Sequence, residues 1–245
     1  MKQPQLIQSP SPQPLYEQVR RLLVERLTAG DWGPGELLPS EAALAKVYGV
    51  SQGTVRKAVD AMAAERLVVR HQGRGTEVAK HTSERSLFQF WHLYSDNGDR
   101  QIPTSDTLKC ERRKAPARDA KLLGIGAGEP VVRINRCRYV KNSPVLIEWI
   151  TVPAERFPGI ERYGHELPNT LYALYQTKYQ VTIQSAVENL KAVASNARDE
   201  RYLKLAPGTP LLEIQRIAFD LENRPVELRT SRCSTQHLHY RNVLD

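Results

Sequence analysis

Between Pro39 and Val78 the chain reads PSEAALAKVYGVSQGTVRKAVDAMAAERLVVRHQGRGTEV, and this stretch constrains the fold more tightly than any other. Ser40 is a helix N-cap by type, since its hydroxyl can accept from the free backbone N–H groups of a first turn. Ala43, Leu44 and Val47 follow at helical spacing. Gly49 can adopt the left-handed conformation that ends a short helix. Ser51 is a second N-cap, and Val55, Val59 and Met62 recur at i, i+4 and i+7, one buried face of a second helix. Two short helices across the tight turn Tyr48-Gly49-Val50 form a helix-turn-helix pattern. The second helix of that pattern enters the DNA major groove by its N-terminal residues.

Those residues are Ser51, Gln52, Gly53, Thr54, Arg56 and Lys57. All but the glycine carry donors suited to phosphates or base edges. Ser40 reads equally as a cap alone, whereas Ser51, beside Gln52 and Thr54, reads more as a DNA contact than as a cap alone. Two β-rich runs, Leu67–Val69 and Thr76–Val78, flank His71-Gln72-Gly73-Arg74-Gly75 and predict a hairpin. With Arg74, His71 and Gln72 around Gly73, its tip is a wing suited to a DNA groove or backbone.

The pieces LPSEAALA, VSQGTVRKA and RHQGRGTEV resemble the GntR family of bacterial transcription regulators, over about seventy residues. The resemblance implies an N-terminal winged helix-turn-helix domain bound to double-stranded operator DNA. Two positions depart from it: the family often has Arg where this chain has Ala42 and Gln52. Both positions usually contact DNA in the family, so a different operator pattern is expected.

The net charge of +8 and the sequence pI near 9.5 favour a polyanionic partner. Residues 1–80 hold 11 Lys+Arg against 8 Asp+Glu, so the charge is spread along the chain and the motif carries the argument. No apolar run approaches a membrane span, and residues 1–13 lack the apolar core of a signal peptide. Cys110, Cys137 and Cys233 are widely spaced without a CxxC pair, as in a reduced, cytoplasmic protein. Residues 1–13, rich in Pro, Gln and Ser, predict a flexible arm. The domain over residues 14–79 opens with a helix that Pro14 suits at its first turn and whose stripe is Leu15, Val19, Leu22, Leu23 and Leu27. Residues 80–86 are polar and short, a linker to a second domain over residues 87–245.

That second domain contains a repeat. ARDAKLLGIGAGEPVVRINRCRYV, from Ala117, matches ARDERYLKLAPGTPLLEIQRIAFD, from Ala197, at a constant offset of 80. After one extra residue SPVLIE pairs with RPVELR. Each copy predicts a helix, a Gly-Pro turn, a strand, a hairpin turn and a second strand, hence an α+β domain with an antiparallel sheet. Asp119 and Asp199 recur at the predicted helix starts. Residues two apart on a strand share a face, so Arg136 and Arg138 point the same way. Arg136 matches Arg216 in the repeat, whereas Arg138 matches Ala218. Two guanidiniums on a mostly apolar face are costly unless anions meet them. Glu148 and Glu227 are one source of anions; a bound carboxylate or phosphate, gripped bidentately, is the other.

From Leu87 to Tyr240 the chain resembles the UTRA effector-binding domain of HutC-type GntR regulators, which has a chorismate-lyase-like fold. The marks are Arg136-Cys137-Arg138, Pro144, Glu148, the run LPNTLYALY from Leu167, and Pro225-Val226-Glu227. The resemblance implies an effector site holding Arg136, Arg138, Glu148, Thr170, Tyr172 and Glu227. Tyr172 reads equally as a core aromatic. Cys233 stands where the family often has a ligand-facing Tyr, so the pocket is expected to be altered.

Other patterns are weak. His237-x-His239 lacks a third metal ligand, and the glycines of Gly124–Gly128 follow no strand of a dinucleotide motif. The sequence thus predicts a homodimeric transcription regulator, a repressor, released from its operator by a small anionic effector, with no metal or cofactor. The rival is a lyase-like enzyme tethered to DNA, for which no positioned nucleophile or general base is visible.

Overall fold

The computed structural model describes residues 13–80, 91–100 and 102–243. The expected arm and linker lie almost entirely outside them. The chain divides into two compact units, Met1–Ala79 and Lys80–Asp245.

In the first unit α1 (Leu15–Thr28) packs on α3 (Gln52–Ala64), and α2 (Glu41–Tyr48) joins them. Ser40 Oγ accepts from the backbone N–H of Ala43 at 3.2 Å, and Ser51 Oγ from that of Thr54 at 3.1 Å. Both serines therefore cap their helices. Between the helices Gly49 sits at φ 63°, a left-handed conformation that a Cβ would disfavour. Val55, Ala58, Val59 and Met62 of α3 are fully buried against Val19 and Leu23 of α1 and Leu44 of α2. Each large apolar side chain so buried contributes about 1.5–3 kcal/mol.

The apolar stripes differ from expectation at two places. Val47 is 66% exposed and Ala43 is exposed, because the phase of α2 turns Leu44 inward and leaves both on the open side. On α1, Leu15 and Leu22 face solvent while Val24 joins Val19 and Leu23 inside. Pro14 caps α1 from outside its first turn. The wing is β1 (Val68–His71) paired antiparallel with β2 (Gly75–Val78), in the register Arg70↔Thr76. Gly73 turns it at φ 73°.

The second unit is built on a six-stranded antiparallel sheet in the order β4-β5-β6-β9-β8-β7. The first repeat supplies β4 (Thr104–Lys114), α4 (Ala117–Leu123), β5 (Pro130–Val140) and β6 (Ser143–Pro153). The second supplies β7 (Ser185–Ala194), α6 (Ala197–Leu203), β8 (Pro210–Phe219) and β9 (Pro225–Ser234). Each copy thus gains an outer strand, β4 or β7, that the sequence repeat did not reveal. The copies meet where β6 pairs β9, in the register Glu148↔Ser231 and Ile150↔Arg229.

On one sheet face, Val132, Ile134, Ile150 and Val152 pack against α5 (Leu171–Tyr179) and a 3-10 segment, Ile160–Glu166. On the other, α4 lies against β9 and α6 against β6. Asp199 starts α6 in a capping box with Asn196, and Asp119 lies in the first turn of α4. A separate two-stranded sheet pairs β3 (Leu93–Ser95) with β10 (Leu238–Tyr240). It packs through Leu93 and Leu238 on Trp91, Leu146 and Cys233.

Candidate functional site

Two surfaces gather the side chains singled out in the sequence. The first is a groove between α2, the start of α3 and the wing, lined by Ser40, Glu41, Ala42, Gln52, Arg70, His71, Gln72 and Gly73. Gln52, Gly53, Arg56 and Lys57 are exposed on the first turns of α3, and Thr54 is half-buried beside Ser51. Thr54 Oγ1 and Ser51 Oγ lie 2.9 Å apart. Arg74 is exposed at the wing tip. His71 Nε2 lies 3.5 Å from a Glu77 carboxylate oxygen. All ten expected DNA-facing residues therefore lie on one helix start, one cap or one hairpin tip.

Sequence reasoning missed the ion pairs at the base of that groove. Arg56 Nε donates to Glu41 Oε2 at 3.0 Å, and Arg70 Nη1 donates to Glu41 Oε1, also at 3.0 Å. Arg70 Nη2 reaches Asp60 Oδ1 at 2.8 Å. Partial burial pushes the Glu41 carboxyl up, but the bonds from Arg56 and Arg70 outweigh it and hold the group below the usual range.

The second surface is a cavity of about 60 Å³ in the second unit. That is room for a few water-sized groups. Arg138 and Glu148 line it from β5 and β6, and Thr170 and Tyr172 from the start of α5. Arg216, Arg229 and Glu188 line it from the second repeat, and Trp91, His92 and Tyr240 from the β3–β10 side.

Charged groups dominate the cavity floor. Glu148 Oε1 lies 3.0 Å from Arg136 Nε and 3.5 Å from Arg138 Nη1, and Glu148 Oε2 lies 3.1 Å from Arg229 Nη1. Burial opposes ionisation of Glu148, yet Arg229, Arg136 and Arg138 outweigh it and hold the carboxyl at about 2. Arg229 also grips Glu227 with two donors, at 3.0 and 2.9 Å, while Tyr172 and Tyr175 each donate to Glu227 at 2.9 Å. Arg216 Nε donates to Glu188 at 2.7 Å, and Tyr240 Oη donates to the other oxygen of Glu188 at 2.5 Å.

Arg138 is the least compensated cation. Its Nη2 donates to Asn169 Oδ1 at 3.1 Å, and its guanidinium stacks 5.0 Å from the Trp91 ring centre. Burial, aided by the like charges of Arg136 and Arg229, pulls it down to about 9 despite Glu148. Around the cavity, four buried guanidiniums (Arg136, Arg138, Arg216, Arg229) face three carboxylates (Glu148, Glu188, Glu227), an excess of one positive charge.

The expected effector residues divide. Arg138, Glu148, Thr170 and Tyr172 line the cavity. Arg136 does not; it is fully buried and donates to the carbonyls of Pro168 and Asn169 at 3.1 and 2.9 Å, tying that loop to the sheet. Glu227 lies beneath, as the partner of Arg229 and two tyrosines rather than of the Arg136–Arg138 pair. Cys233 is buried among Trp91, Leu93, Leu146 and Leu238, and burial pushes its thiol up to about 12. Arg229 was legible after all: the repeat's later offset of 81 sets it opposite Glu148 in the other copy.

Known proteins share both parts. The pattern of bacterial regulatory proteins of the gntR family matches residues 15–78, and that of the UTRA domain matches residues 99–239. A relative in Escherichia coli strain K12, named "Probable fructoselysine utilization operon transcriptional repressor", is 27% identical over 228 residues, 93% of each chain. The HTH-type transcriptional regulator GgaR of the same strain is 28% identical, covering 90% of this chain and 87% of its own. The solved ligand-binding domain of a GntR-family transcriptional regulator from Bordetella bronchiseptica is 34% identical, with a TM-score of 0.59. It covers 64% of this chain and 98% of its own. PhnF from Mycobacterium smegmatis, at 23% identity and a TM-score of 0.56 over 93% of this chain and 99% of its own, shares the fold.

Proposed function

Because the chain belongs to the GntR family of bacterial transcription regulators, with a UTRA domain following its DNA reader in sequence, we propose that it is a HutC-type repressor, released from its operator by a small anionic metabolite. A regulator of this family binds DNA and is not an enzyme. It works where the chromosome lies, in the cytoplasm. The observation that carries the effector reading is the excess guanidinium at the cavity, with Arg138 held by one shared carboxylate. An incoming carboxylate or phosphate supplies the missing charge and fits the bidentate geometry of arginine. The start of α5, at Thr170 to Tyr172, lines the same cavity, and helix N-termini favour anions.

Operator recognition by this motif is dimeric, with half-sites about 34 Å apart. The second unit offers a seam for a second copy. The β7 edge exposes Val187 and Leu190, whereas the β4 edge carries Lys109, Glu111, Arg112, Arg113 and Lys114. Charge blunts an edge strand against pairing, and β7 is less blunted. An effector that favours a half-site spacing other than the operator's releases the DNA, provided its affinity differs between the two states. Trp91, His92 and Leu93, which line the cavity, stand in sequence just beyond the segment that joins it to the reader.

The test is a thermal-shift screen of the full chain against cellular carboxylates, phosphate esters and their neutral analogues, followed by operator-release titration of the hits. Anionic hits that release the operator support the reading. Release by neutral analogues alone would refute it.

A further inference from the structure

The four charges at the base of the DNA groove form a chain, Arg56–Glu41–Arg70–Asp60. Glu41 is the shared member: one oxygen accepts from Arg56 and the other from Arg70, each at 3.0 Å. Its side chain is only 18% exposed, while that of Arg56 is 59% exposed on the outer surface of α3. Arg70 is anchored from three directions. Besides Glu41 it reaches Asp60 at 2.8 Å and the backbone carbonyl of Arg56 at 3.3 Å. It thereby links the start of α2, two turns of α3 and the first wing strand.

The charges balance with Arg70 present, two guanidiniums against two carboxylates. Without it this cluster would carry one net negative charge, two carboxylates against Arg56 alone. Glu41 would also have both oxygens available to a single arginine, and bidentate Arg–carboxylate pairs are the strong ones. We propose that Arg70 is a positioning residue for DNA reading: by occupying one oxygen of Glu41, it leaves Arg56 able to leave that carboxylate and reach the duplex. Arg70 acts through Glu41 and need not touch DNA itself. Arg74 at the wing tip and Gln52 at the helix start are contacts of a different kind, since neither shares the carboxylate.

A double-mutant cycle on the full chain tests this. The probe is a labelled duplex of about 30 base pairs, enriched from random DNA by the unaltered protein, with binding followed by fluorescence anisotropy. Arg70→Gln removes the tether, and the loss of one base or phosphate arginine, about 1–3 kcal/mol, corresponds to roughly 5–150-fold weaker binding. In that background a further Arg56→Gln should cost less than threefold, because Arg56 is already withdrawn. Adding Glu41→Gln to Arg70→Gln should restore binding to within about threefold of the unaltered chain, a rescue that a purely architectural arginine would not show. Thermal melting identifies any variant that fails to fold. Should Arg70→Gln fail, Glu41→Gln with Arg56→Gln supplies the test: the Arg56 loss should be at least as large without Glu41 as with it. Additive losses for Arg56 and Arg70, no rescue by Glu41→Gln, or a smaller Arg56 loss without Glu41 would each overturn the proposal.

Discussion

Replacing Arg138 by Ala separates an effector arginine from an architectural one. Its guanidinium lies at about 9, well below the ordinary arginine range, which corresponds to about 5 kcal/mol against the charged form. Because the folded value lies below the unfolded one, that cost is fully present at neutral pH and fades only as pH rises past about 9. Deleting the side chain removes the cost. It also removes a charged hydrogen bond to Asn169, about 1.5–3 kcal/mol, and stacking on Trp91, about 2 kcal/mol when desolvated. The terms nearly cancel, and Glu148 keeps Arg136 and Arg229 as partners. A net change within about 1 kcal/mol moves the melting temperature by about 2–4 °C. Arg229→Ala is the control, since it strips Glu227 of a two-donor partner and Glu148 of a third of its cations. Breaking such a buried pair costs about 3–5 kcal/mol, a drop of about 6–20 °C. Arg138→Ala should therefore melt near the unaltered protein and bind operator normally, yet fail to release it with the anionic hits of the thermal-shift screen. A melting drop as large as that of Arg229→Ala, or normal release, would return Arg138 to the scaffold.

Other outcomes follow from the same geometry. Arg74→Ala should weaken operator binding and lower the slope of log affinity against log salt by about 1, read by titration from low to high salt. Gln52→Ala should keep most affinity but relax base preference at one position, read by selection from random DNA, because glutamine pairs bidentately with adenine. Glu148→Gln should remove the stability that this carboxyl contributes above about pH 4.5, about 3 kcal/mol, and that the unaltered chain loses as pH falls toward 2; acid melts of the two should converge there. A fragment ending at Lys80 should be monomeric by sedimentation, whereas Leu190→Lys in the full chain should weaken its dimer.

What could be read from the sequence was what is encoded locally. Ser40, Gly49 and Ser51 declare the first unit because caps and a left-handed turn depend on residue type within a few positions. The error at Val47 has a related cause. A helix of eight residues offers two turns, too few for spacing alone to fix which side faces the core. The strands β4 and β7 escaped notice because both are sheet edges: β7 is exposed along most of its length, so no alternation marks it. The cavity in the second unit is half legible. Arg138, Glu148, Thr170 and Tyr172 stand out in the sequence and line it, but Glu188 on β7, Tyr240 on β10 and Trp91 just before β3 are far apart along the chain, and only the fold brings them together. Cys233 and Arg136 share the sheet face of the cavity and are sealed beneath it, a difference of depth that strand periodicity does not report.

The repeat explains why the positive excess sits at Arg138. A pseudo-two-fold axis between β6 and β9 relates Glu148 to Arg229, since the pairs Glu148↔Ser231 and Ile150↔Arg229 exchange under it. Residues so close to an axis become each other's neighbours. Had both copies kept Glu, two carboxylates would meet in a buried site; had both kept Arg, two guanidiniums would. The opposite signs let the seam close as a salt bridge of 3.1 Å. That exchange sets Arg229 instead of a glutamate directly across from Arg216, the counterpart of Arg136, and Arg216 pairs with Glu188 on β7. Arg138 has no counterpart, because the other copy holds Ala218, which is buried in the apolar core. Every other guanidinium at the cavity floor is fixed by a carboxylate or a carbonyl pair that closes the sheet. Arg138 is the one added after those pairings are satisfied, so the charge that an effector anion would neutralise lies at that end of the cavity, against Trp91 and Asn169.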